Sequence, residues 1–565
     1  MDVFYMAIVG IDLGTSNSLI SIWTENGPKA LENALGETLT PSAVSISDKG
    51  EILVGQAAIE RLVTHPERTI ASFKRAMGST TQFALGKYRW RAEELSALVL
   101  KSLREDAEVA LGESITEAVI SVPAYFNDTQ RKATLDAARL AGLHVERLIN
   151  EPTAAALAHG LENLEEGTYL ILDLGGGTFD VSLLHQYDGI MEIRASAGDA
   201  LLGGDDFRSV LMSGLLEQHK LTNEKLSDAD NARLFAEAER LKRKLTDQLQ
   251  AEYSFSVDGR ICEGTFTRDQ FEEKAQPLIR RMRVPMERAM RDARIDITKI
   301  DQVVLVGGAA RMPMIRSLAA KLFGRFPLLH PQPDHIVGLG AAVQAGLKKR
   351  EAALEEIIMT DVCPFTLGTS IVDTRSPEGA IFSPIIERNA VVPISRENRY
   401  WTACDNQTKV CIDVLQGENM RPSQNILIGK VEVAVPPAPA GMEGIDVRYT
   451  YDVNGALEVE VKIVSSGQVH RQLFKNQANL TDAELQKRFS ALSSIKMLPR
   501  EQQENRVLIA RAERIYAEML GDTREQLKEL LFWFERCLED QSIRDMQEVR
   551  QQFSDALRQF EHSVL

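Results

Sequence analysis

The sequence predicts a multidomain protein in which an α/β domain with an internal repeat precedes an antiparallel β-sandwich and a short α-helical region. A strand, glycine turn, strand pattern occurs twice, at residues 7–22 and 168–184, and indicates two halves of similar design. Helical patterns disappear between residues 362 and 477, where short runs alternate apolar and polar side chains. From Leu480 onward the patterns are helical again.

Length, charge and cysteine content exclude several classes of protein. A chain of 565 residues is too long for one hydrophobic core. A net charge of −16 at pH 7 argues against nucleic-acid binding as the main activity, and the five scattered cysteines suit a reducing compartment. The N-terminus has no basic secretion signal, and no apolar run reaches the length of a membrane span. We therefore expect a cytoplasmic protein that binds neither nucleic acid nor membrane.

The stretch 172–180, with the sequence LDLGGGTFD, is the strongest local signal for chemistry. Three consecutive glycines let the backbone approach a ligand closely, and the amides of such a turn bind anions. Asp173 precedes the turn and Asp180 follows it, and hydrated Mg²⁺ prefers hard oxygen ligands of this kind. The stretch predicts a site for phosphate and Mg²⁺. A glycine-rich hairpin capped by two aspartates is the alternative.

The first half of the domain repeats this arrangement. Asp12 ends a strand, Gly14 follows in the turn, and Ser16 supplies a hydroxyl beyond it. Each half also contains a small-residue helix headed by an acid, Glu151 in one half and Asp334 in the other, where the positive helix end favours a negative charge. This ordered set predicts a cleft that both halves line with phosphate-type turns and acidic helix starts.

These motifs resemble the DnaK-type chaperones of the heat shock protein 70 family, whose ATPase domain has the actin-like α/β fold. The resemblance extends with gaps to about residue 500, and within the family the chain is most similar to the shorter bacterial HscC branch. The stretches that carry it are 10–15, 122–128, 150–156, 173–180 and 305–308. It implies an actin-like ATPase domain at 1–350, a linker at 351–362, a β-sandwich peptide-binding domain at 363–477 and a shortened helical lid at 478–565.

The resemblance implies ATP hydrolysis with Mg²⁺ and K⁺ as cofactors. Phosphoryl transfer to water needs charge neutralisation and a positioned nucleophile rather than covalent chemistry. Matched residue by residue, Asp12 and Asp180 would hold the metal ions, and Lys74 would neutralise γ-phosphate charge. Glu151 and Asp173 would orient the attacking water. Thr178 would contact a phosphate oxygen.

A charged helix supplies the expected adenosine contacts. Glu239, Lys242, Arg243 and Thr246 recur at i, i+3, i+4 and i+7 and so share one helix face, for which a solvated surface is the alternative. By the resemblance Arg243 would stack on adenine, with Glu239 and Lys242 near the ribose. The complete set implied for the nucleotide is Gly14, Thr15, Ser16, Asn17, Gly175, Gly176, Gly177, Thr178, Glu239, Lys242, Arg243, Thr246, Gly307, Gly308, Arg311 and Asp334.

The second half of the chain resembles the family's peptide-binding domain. An extended peptide would be held by backbone hydrogen bonds and an apolar pocket, although core packing is an equal alternative for any one apolar residue. The groove implied by the resemblance contains Thr369, Ile371, Val372, Tyr400, Ala403, Val410, Ile412 and Ile445. Ala440 stands where the family has an arginine that latches the lid, so we expect a looser lid and faster peptide exchange.

The resemblance also implies residues that couple the domains. Pro123 and Arg131 match the family's proline switch and relay arginine, while Arg147, Asn150, Thr153 and Asp361 match positions that J-domain cochaperones engage. The outer-lobe segments after Gly78 and after Thr246 are short, which leaves open whether a conventional nucleotide exchange factor acts on the chain. We expect a monomer.

The sequence therefore favours an ATP-dependent molecular chaperone that binds extended apolar segments of unfolded polypeptides. One alternative is a nucleotide-gated scaffold for a single specific partner. Another is a small-molecule kinase on the same ATPase fold, which leaves about two hundred residues of sandwich and lid without a role.

Overall fold

The computed structural model describes residues 7–47, 52–145, 147–162, 166–187, 190–222, 226–349, 358–452, 455–474, 521–539 and 546–564, together with Leu508, Ala512 and Tyr516. The chain divides into two compact units, Met1–Phe365 and Thr366–Leu565. Of the predicted linker, residues 351–357 lie outside the described residues, and Ile358–Val362 forms a strand within the first unit.

The first half of the first unit is built on a mixed sheet. Its strands lie in the order Leu148–Asn150, Glu117–Val122, Ile8–Asp12, Asn17–Thr24 and Gly27–Ala30, with Thr40–Pro41 paired to Asn17–Thr24. The first three strands are parallel, so their carboxyl ends meet at one edge of the sheet. Asp12 and Asn150 therefore lie at the same edge, which is where α/β folds place their ligands.

The second half repeats this order. Its strands are Leu328–Leu329, Gln302–Val306, Gly167–Leu174, Phe179–Tyr187 and Ile190–Asp199, followed by Ile358–Val362, which pairs in parallel with Ile190–Asp199. Gly167–Leu174 and Gln302–Val306 are also parallel, and Asp173 is paired with Val306. The two glycine turns are thus at equivalent places in two sheets of the same design.

Two small-residue helices, Glu151–Glu162 and Ile336–Lys349, pack against each other between the halves. A Cβ added at Gly340 would lie 1.8 Å from Ala154 O, and one added at Gly10 would lie 2.1 Å from Ala342 N. These backbones approach too closely for any side chain at either glycine. The alanine- and glycine-rich helices therefore bring the carboxyl edges of the two sheets together.

The remaining elements of the first unit surround this centre. Its other helices are Gln56–Ile59, Arg61–Thr64, Ala92–Leu111, Asp128–Leu140, Gly204–Gln218, Asp228–Asp247, Arg268–Lys274, Gln276–Ala293 and Pro313–Phe323, with 3₁₀ turns at Pro66–Arg68, Phe73–Ala76, Ile297–Lys299 and Gly308–Arg311. Its smaller sheets are Ile52–Val54 with Ala43–Ile46 and Thr69–Ala71, Gln82–Leu85 with Tyr88–Arg91, and Gln250–Val257 with Arg260–Thr267. Each half has its own large cluster of buried apolar side chains.

The second unit contains two four-stranded antiparallel sheets. One has the order Ala380–Ile386, Leu367–Val372, Lys409–Gln416 and Ile426–Ala434; the other has Ile394–Trp401, Gly444–Tyr451, Leu457–Ile463 and Val469–Phe474. Tyr449 lies fully buried in the second sheet and donates its hydroxyl to Gly368 O of the first at 3.0 Å. Alternate residues of facing strands are buried, so the sheets enclose a common core. The two-residue strand Val391–Val392 and the 3₁₀ turn Pro422–Gln424 also belong to the second unit.

Two helices, Gly521–Glu539 and Met546–Val564, form the described end of the chain. Phe534 and Phe553 stack between them with ring centroids 4.0 Å apart, above the buried residues Leu527, Leu538 and Leu557. The start of the predicted helical region, from Leu480 and including a capping-box pattern at 481–484, lies outside the described residues. Among the helices that the structure describes, none has both the length and the apolar composition needed to cross a membrane.

Candidate functional site

A cavity of about 500 Å³ lies where the carboxyl edges of the two sheets meet, within the range of about 300–1,000 Å³ usual for ligand pockets. Most of the residues predicted to bind nucleotide or catalyse hydrolysis line it. They are Asp12, Gly14, Thr15, Ser16, Asn17, Lys74, Glu151, Asp173, Gly175, Gly176, Thr178, Glu239, Lys242, Arg243, Thr246, Gly307, Gly308, Arg311 and Asp334. Sequence reasoning missed Leu39, Gly204, Asp247, Ala309, Met312, Pro333 and Val337, which carry no motif of their own.

The two glycine turns touch across this cavity. A Cβ added at Gly176 would lie 2.2 Å from Ser16 Oγ, and one at Gly177 would lie 2.7 Å from Thr15 Oγ1. Gly177 is not part of the cavity lining, but this contact places it directly against the opposite turn. The glycines are thus required by the close approach of the turns as well as by access to a ligand.

The start of a helix supports the turn at 175–177. Backbone N–H groups of Gly204 and Asp205 donate to the carbonyl oxygens of Gly175 and Gly176 at 2.9 and 2.8 Å. These residues open the helix Gly204–Gln218, whose positive end therefore faces the turn. Helix starts of this kind favour negative groups such as phosphate nearby.

Three aspartates are buried around the turns, and their carboxyl groups hold protons unusually tightly. Burial, followed by the nearby charge of Glu151, raises the pKa of Asp12 to about 7 and that of Asp180 to about 8. The same two causes raise the pKa of Asp173 well above its usual value. Carboxylates crowded in this way favour a bound cation, which would offset their mutual repulsion.

The donor atoms in this cluster suit Mg²⁺. Asp180 Oδ1 is buried and has no hydrogen-bond partner among the described residues. The carboxyl group of Asp180 also accepts backbone hydrogen bonds from Ala124 and Tyr125, which fix its orientation. The available donors are oxygens, as Mg²⁺ prefers. Within the described residues, no three His, Cys, Asp or Glu side chains converge as a direct ligand set.

Lys74 and Glu151 form a buried ion pair at the wall of the cavity. Lys74 Nζ donates to Glu151 Oε1 at 2.8 Å, and the two residues are 3% and 7% exposed. Lys74 Nζ also lies 5.5 Å from the centroid of the Phe126 ring. Because Glu151 is the first residue of its helix, the helix dipole as well as Lys74 stabilises its negative charge. The pair places a cation and a potential proton acceptor beside the glycine turns.

Opposite this pair lie the residues predicted to contact adenosine. Glu239 is 2.7 Å from Lys242 Nζ and accepts a hydrogen bond from Arg243 Nε at 3.0 Å. On the other wall Arg311 Nη2 donates to Asp334 Oδ2 at 2.7 Å. The side chain of Arg243 is 75% exposed, which leaves a broad cationic surface at the mouth of the cavity.

Four of the six residues predicted to couple the domains are joined by consecutive hydrogen bonds. Arg131 Nη2 donates to Asn150 Oδ1 at 2.6 Å, and Asn150 Nδ2 donates to Asp361 Oδ2 at 3.0 Å. Thr153 Oγ1 donates to the same oxygen of Asp361 at 3.1 Å. Burial raises the pKa of Asp361, although hydrogen bonds and the charges of Arg147 and Arg131 oppose this shift. Asn150, in the middle of this hydrogen-bonded series, directly precedes Glu151 of the cavity wall.

Pro123 is connected to Arg131 through Phe126. It is buried directly after the strand Glu117–Val122, and its carbonyl accepts from Phe126 N at 3.0 Å. Arg131 Nε donates to Phe126 O at 2.9 Å. The segment 123–126 therefore links the relay arginine to the backbone amides that hold Asp180.

The residues predicted to form a peptide groove have diverse environments. Thr369, Ile412 and Ile445 are buried, whereas Val372 is 66% exposed and Ala403 is exposed. Those of intermediate exposure are Ile371, Tyr400 and Val410. The structure pairs Tyr400 with Ile445 across neighbouring strands. The groove stays a prediction.

Comparison with known families shows a match to the Hsp70 protein family. Its model matches residues 8–564, which cover nearly all of both compact units.

Proposed function

The chain belongs to the Hsp70 family, and we propose that it acts within this family as a DnaK-type chaperone whose ATP cycle switches its affinity for extended apolar peptides. Family members are in general ATPases and ATP-dependent chaperones that bind ATP with Mg²⁺ and bind unfolded polypeptides. The finer assignments to the HscC branch, to K⁺ binding and to a J-domain cochaperone stay predictions from the resemblance.

The observation that carries the proposal is the buried pair of Lys74 and Glu151 facing two glycine turns. Hydrolysis of ATP needs a phosphate cradle, a cation near the transferred phosphoryl group and a group that orients water. The turns at Gly14 and Gly175–Gly177 suit the first need and Lys74 suits the second. Glu151 suits the third, because it is held by Lys74 beside the cavity and can accept a hydrogen bond from water.

Other residues of the site would contact the phosphates and Mg²⁺. Thr15 and Thr178 present hydroxyl groups in the cavity, where they can donate to phosphate oxygens. Asp12 and Asp180 would hold Mg²⁺, which supplies charge neutralisation when bound. Ser121 Oγ donates to Asp12 Oδ1 at 2.7 Å and so orients that carboxyl group.

The proposal is tested by measuring ATP turnover with and without a short apolar peptide. We expect slow turnover that rises several-fold with peptide, because the hydrogen-bonded chain from Asp361 reaches the residue next to Glu151. Asp361→Ala should abolish this rise. Thr360→Val is the matched control, since the Thr360 hydroxyl has no hydrogen-bond partner among the described residues.

Other outcomes would favour the alternatives. Turnover that depends on a sugar would favour the small-molecule kinase. Turnover that ignores every peptide, combined with tight binding to one folded protein, would favour the scaffold. Release of ADP measured in the purified chain alone would show whether an exchange factor is needed.

A further inference from the structure

Arg208 is a buried arginine that no sequence motif singled out. It lies on the helix Gly204–Gln218, and its side chain is 9% exposed. Its Nη2 atom is 2.9 Å from Asp205 Oδ1, and its Nη1 atom is 3.5 Å from Glu239 Oε2. Its guanidinium carbon stands 3.7 Å from the centroid of the Phe235 ring. Arginine is rarely buried unless it is paired, and here two carboxylates and one aromatic face hold it.

These contacts connect the two ends of the cavity. Asp205 belongs to the phosphate end, because its backbone N–H donates to Gly176 O in the glycine turn. Glu239 belongs to the adenosine end, on the separate helix Asp228–Asp247. Arg208 does not line the cavity itself. It lies behind the wall and joins the helix that supports the glycine turn to the helix that carries Glu239.

The other partners of Glu239 hold it less firmly to the helix that supports the turn. Lys242 and Arg243 are on the same helix as Glu239, and of these two Lys242 also reaches the supporting helix, where its Nζ donates to Gly204 O in a long hydrogen bond of 3.3 Å. Burial alone would raise the pKa of Glu239, but Lys242, Arg208 and Arg243 together lower it, and the side chain stays a charged acceptor. Arg243 is largely exposed and its attraction is screened by water. Arg208 is therefore the charged side chain of the supporting helix that pairs with Glu239 and sets its position relative to the turn, and the Lys242–Gly204 hydrogen bond reinforces this link.

We propose that Arg208 is a positioning residue that fixes Glu239 relative to the glycine turn, so that one nucleotide can engage both through its ribose hydroxyls and its phosphates. This inference rests on the proposed nucleotide site. Preorganised groups bind more tightly because less ordering is needed when the ligand arrives. Ligands that carry both phosphates and ribose hydroxyls benefit from the arrangement, whereas ligands without the hydroxyls do not.

The test compares ATP with 2′,3′-dideoxy-ATP by titration calorimetry in the presence of Mg²⁺. Arg208→Met keeps an unbranched side chain against Phe235 but removes both ion pairs. We expect about tenfold weaker binding of ATP and less than about twofold change for the dideoxy analogue, as the loss of a charge-assisted contact would give. In turnover assays KM should rise while kcat stays within about twofold, because Arg208 touches no reacting group. Arg208→Lys should restore part of the affinity.

Arg233→Met is the matched control, since Arg233 lies on the same helix as Glu239 and pairs with Asp230. It should leave the ratio of the two affinities unchanged. Phe235→Leu is a second test, because it removes the aromatic face under Arg208 but keeps both ion pairs. It should lower the affinity for ATP relative to that for the dideoxy analogue, by less than Arg208→Met does. The inference is overturned if Arg208→Met leaves both affinities unchanged, or if it lowers the affinities for ATP and the dideoxy analogue by the same factor. A wild-type chain that binds neither nucleotide would instead overturn the proposed nucleotide site.

Discussion

The nucleotide residues of the first unit and the groove residues of the second were both assigned from one family resemblance, but their environments in the structure differ. In the cavity, glycine turns, an ion pair and a cluster of aspartates meet within a space of about 500 Å³. In the sandwich, the eight predicted groove residues range from Thr369, which is 1% exposed, to Val372, which is 66% exposed. The same kind of sequence evidence thus gives residues that line one cavity in the first unit and residues of mixed exposure in the second.

The difference follows from the chemistry of the residues. A glycine that touches the opposite turn is required by sterics, and a lysine paired with a buried glutamate is required by charge. The residue type at such a position therefore indicates where the residue lies in the structure. An apolar residue in a sandwich satisfies core packing and peptide binding equally well. Polar motifs therefore locate a site more sharply than alternating apolar residues do.

The largest effect is expected at Lys74, where a substitution tests whether the polar residues of the cavity carry out ATP hydrolysis. Lys74→Met removes the cation from the buried pair with Glu151 and should slow ATP hydrolysis by about a hundredfold or more, as loss of a preorganised charge does. Single-turnover hydrolysis measures it. Lys101→Met is the control, because Lys101 is 56% exposed and lies 3.8 Å from Glu105. Equal rates in the two variants would remove the reason for assigning catalysis to this cavity.

The aspartate cluster predicts an unusual dependence of stability on pH. The pKa of Asp180 is raised to about 8, so the folded chain binds a proton that the unfolded chain has already released. Without Mg²⁺ and nucleotide, the free energy of unfolding of the first unit should therefore fall as pH rises from about 4 to 8. Asp180→Asn should weaken this fall and should be more stable than the wild type at pH 8. Denaturant titrations at pH 5 and pH 8 measure both.

Asp296→Asn is the control for this prediction. Hydrogen bonds from Thr298 lower the pKa of Asp296, which is the opposite shift, and asparagine caps a helix start as well as aspartate does. This variant should keep the wild-type pH dependence between pH 5 and 8. A wild-type chain whose stability rises with pH over this interval would contradict the account of the cluster.

Much of the cleft could be predicted because its residues are local signals. Asp12 is the last residue of its strand and Asp173 the last but one, and glycines follow both, so pattern and chemistry coincide. Arg208 could not be found in this way, because its partners Phe235 and Glu239 lie on another helix and only the fold brings them together. The burial of Ile412 and Ile445 was equally hidden, since alternation assigns residues to a face without saying which face is the core.

Ile412 and Val372 separate the two interpretations of the predicted groove. Ile412 is 5% exposed, so Ile412→Ala should lower the free energy of unfolding of the second unit by about 2–5 kcal/mol. Val372→Ala should change it by less than about 0.5 kcal/mol, because Val372 is mostly exposed, yet it should weaken peptide binding. Denaturant titration and peptide anisotropy measure the two properties. Weaker peptide binding in neither variant would leave the sandwich without its predicted groove.

The smallest expected effect concerns the position where the family has a latch arginine. Ala440 is exposed, and its backbone N–H donates to Asp405 Oδ1 at 2.8 Å. The side chain of an arginine at this position would therefore have a carboxylate close to its Cα atom. Ala440→Arg should slow peptide release by about two- to fivefold, the value of one exposed ion pair. Ala434→Arg adds the same charge at another exposed position of the sandwich and should leave release unchanged. Release kinetics of a labelled peptide measure this difference, and equal rates in Ala440→Arg and the wild type would show that the missing arginine does not set lid closure.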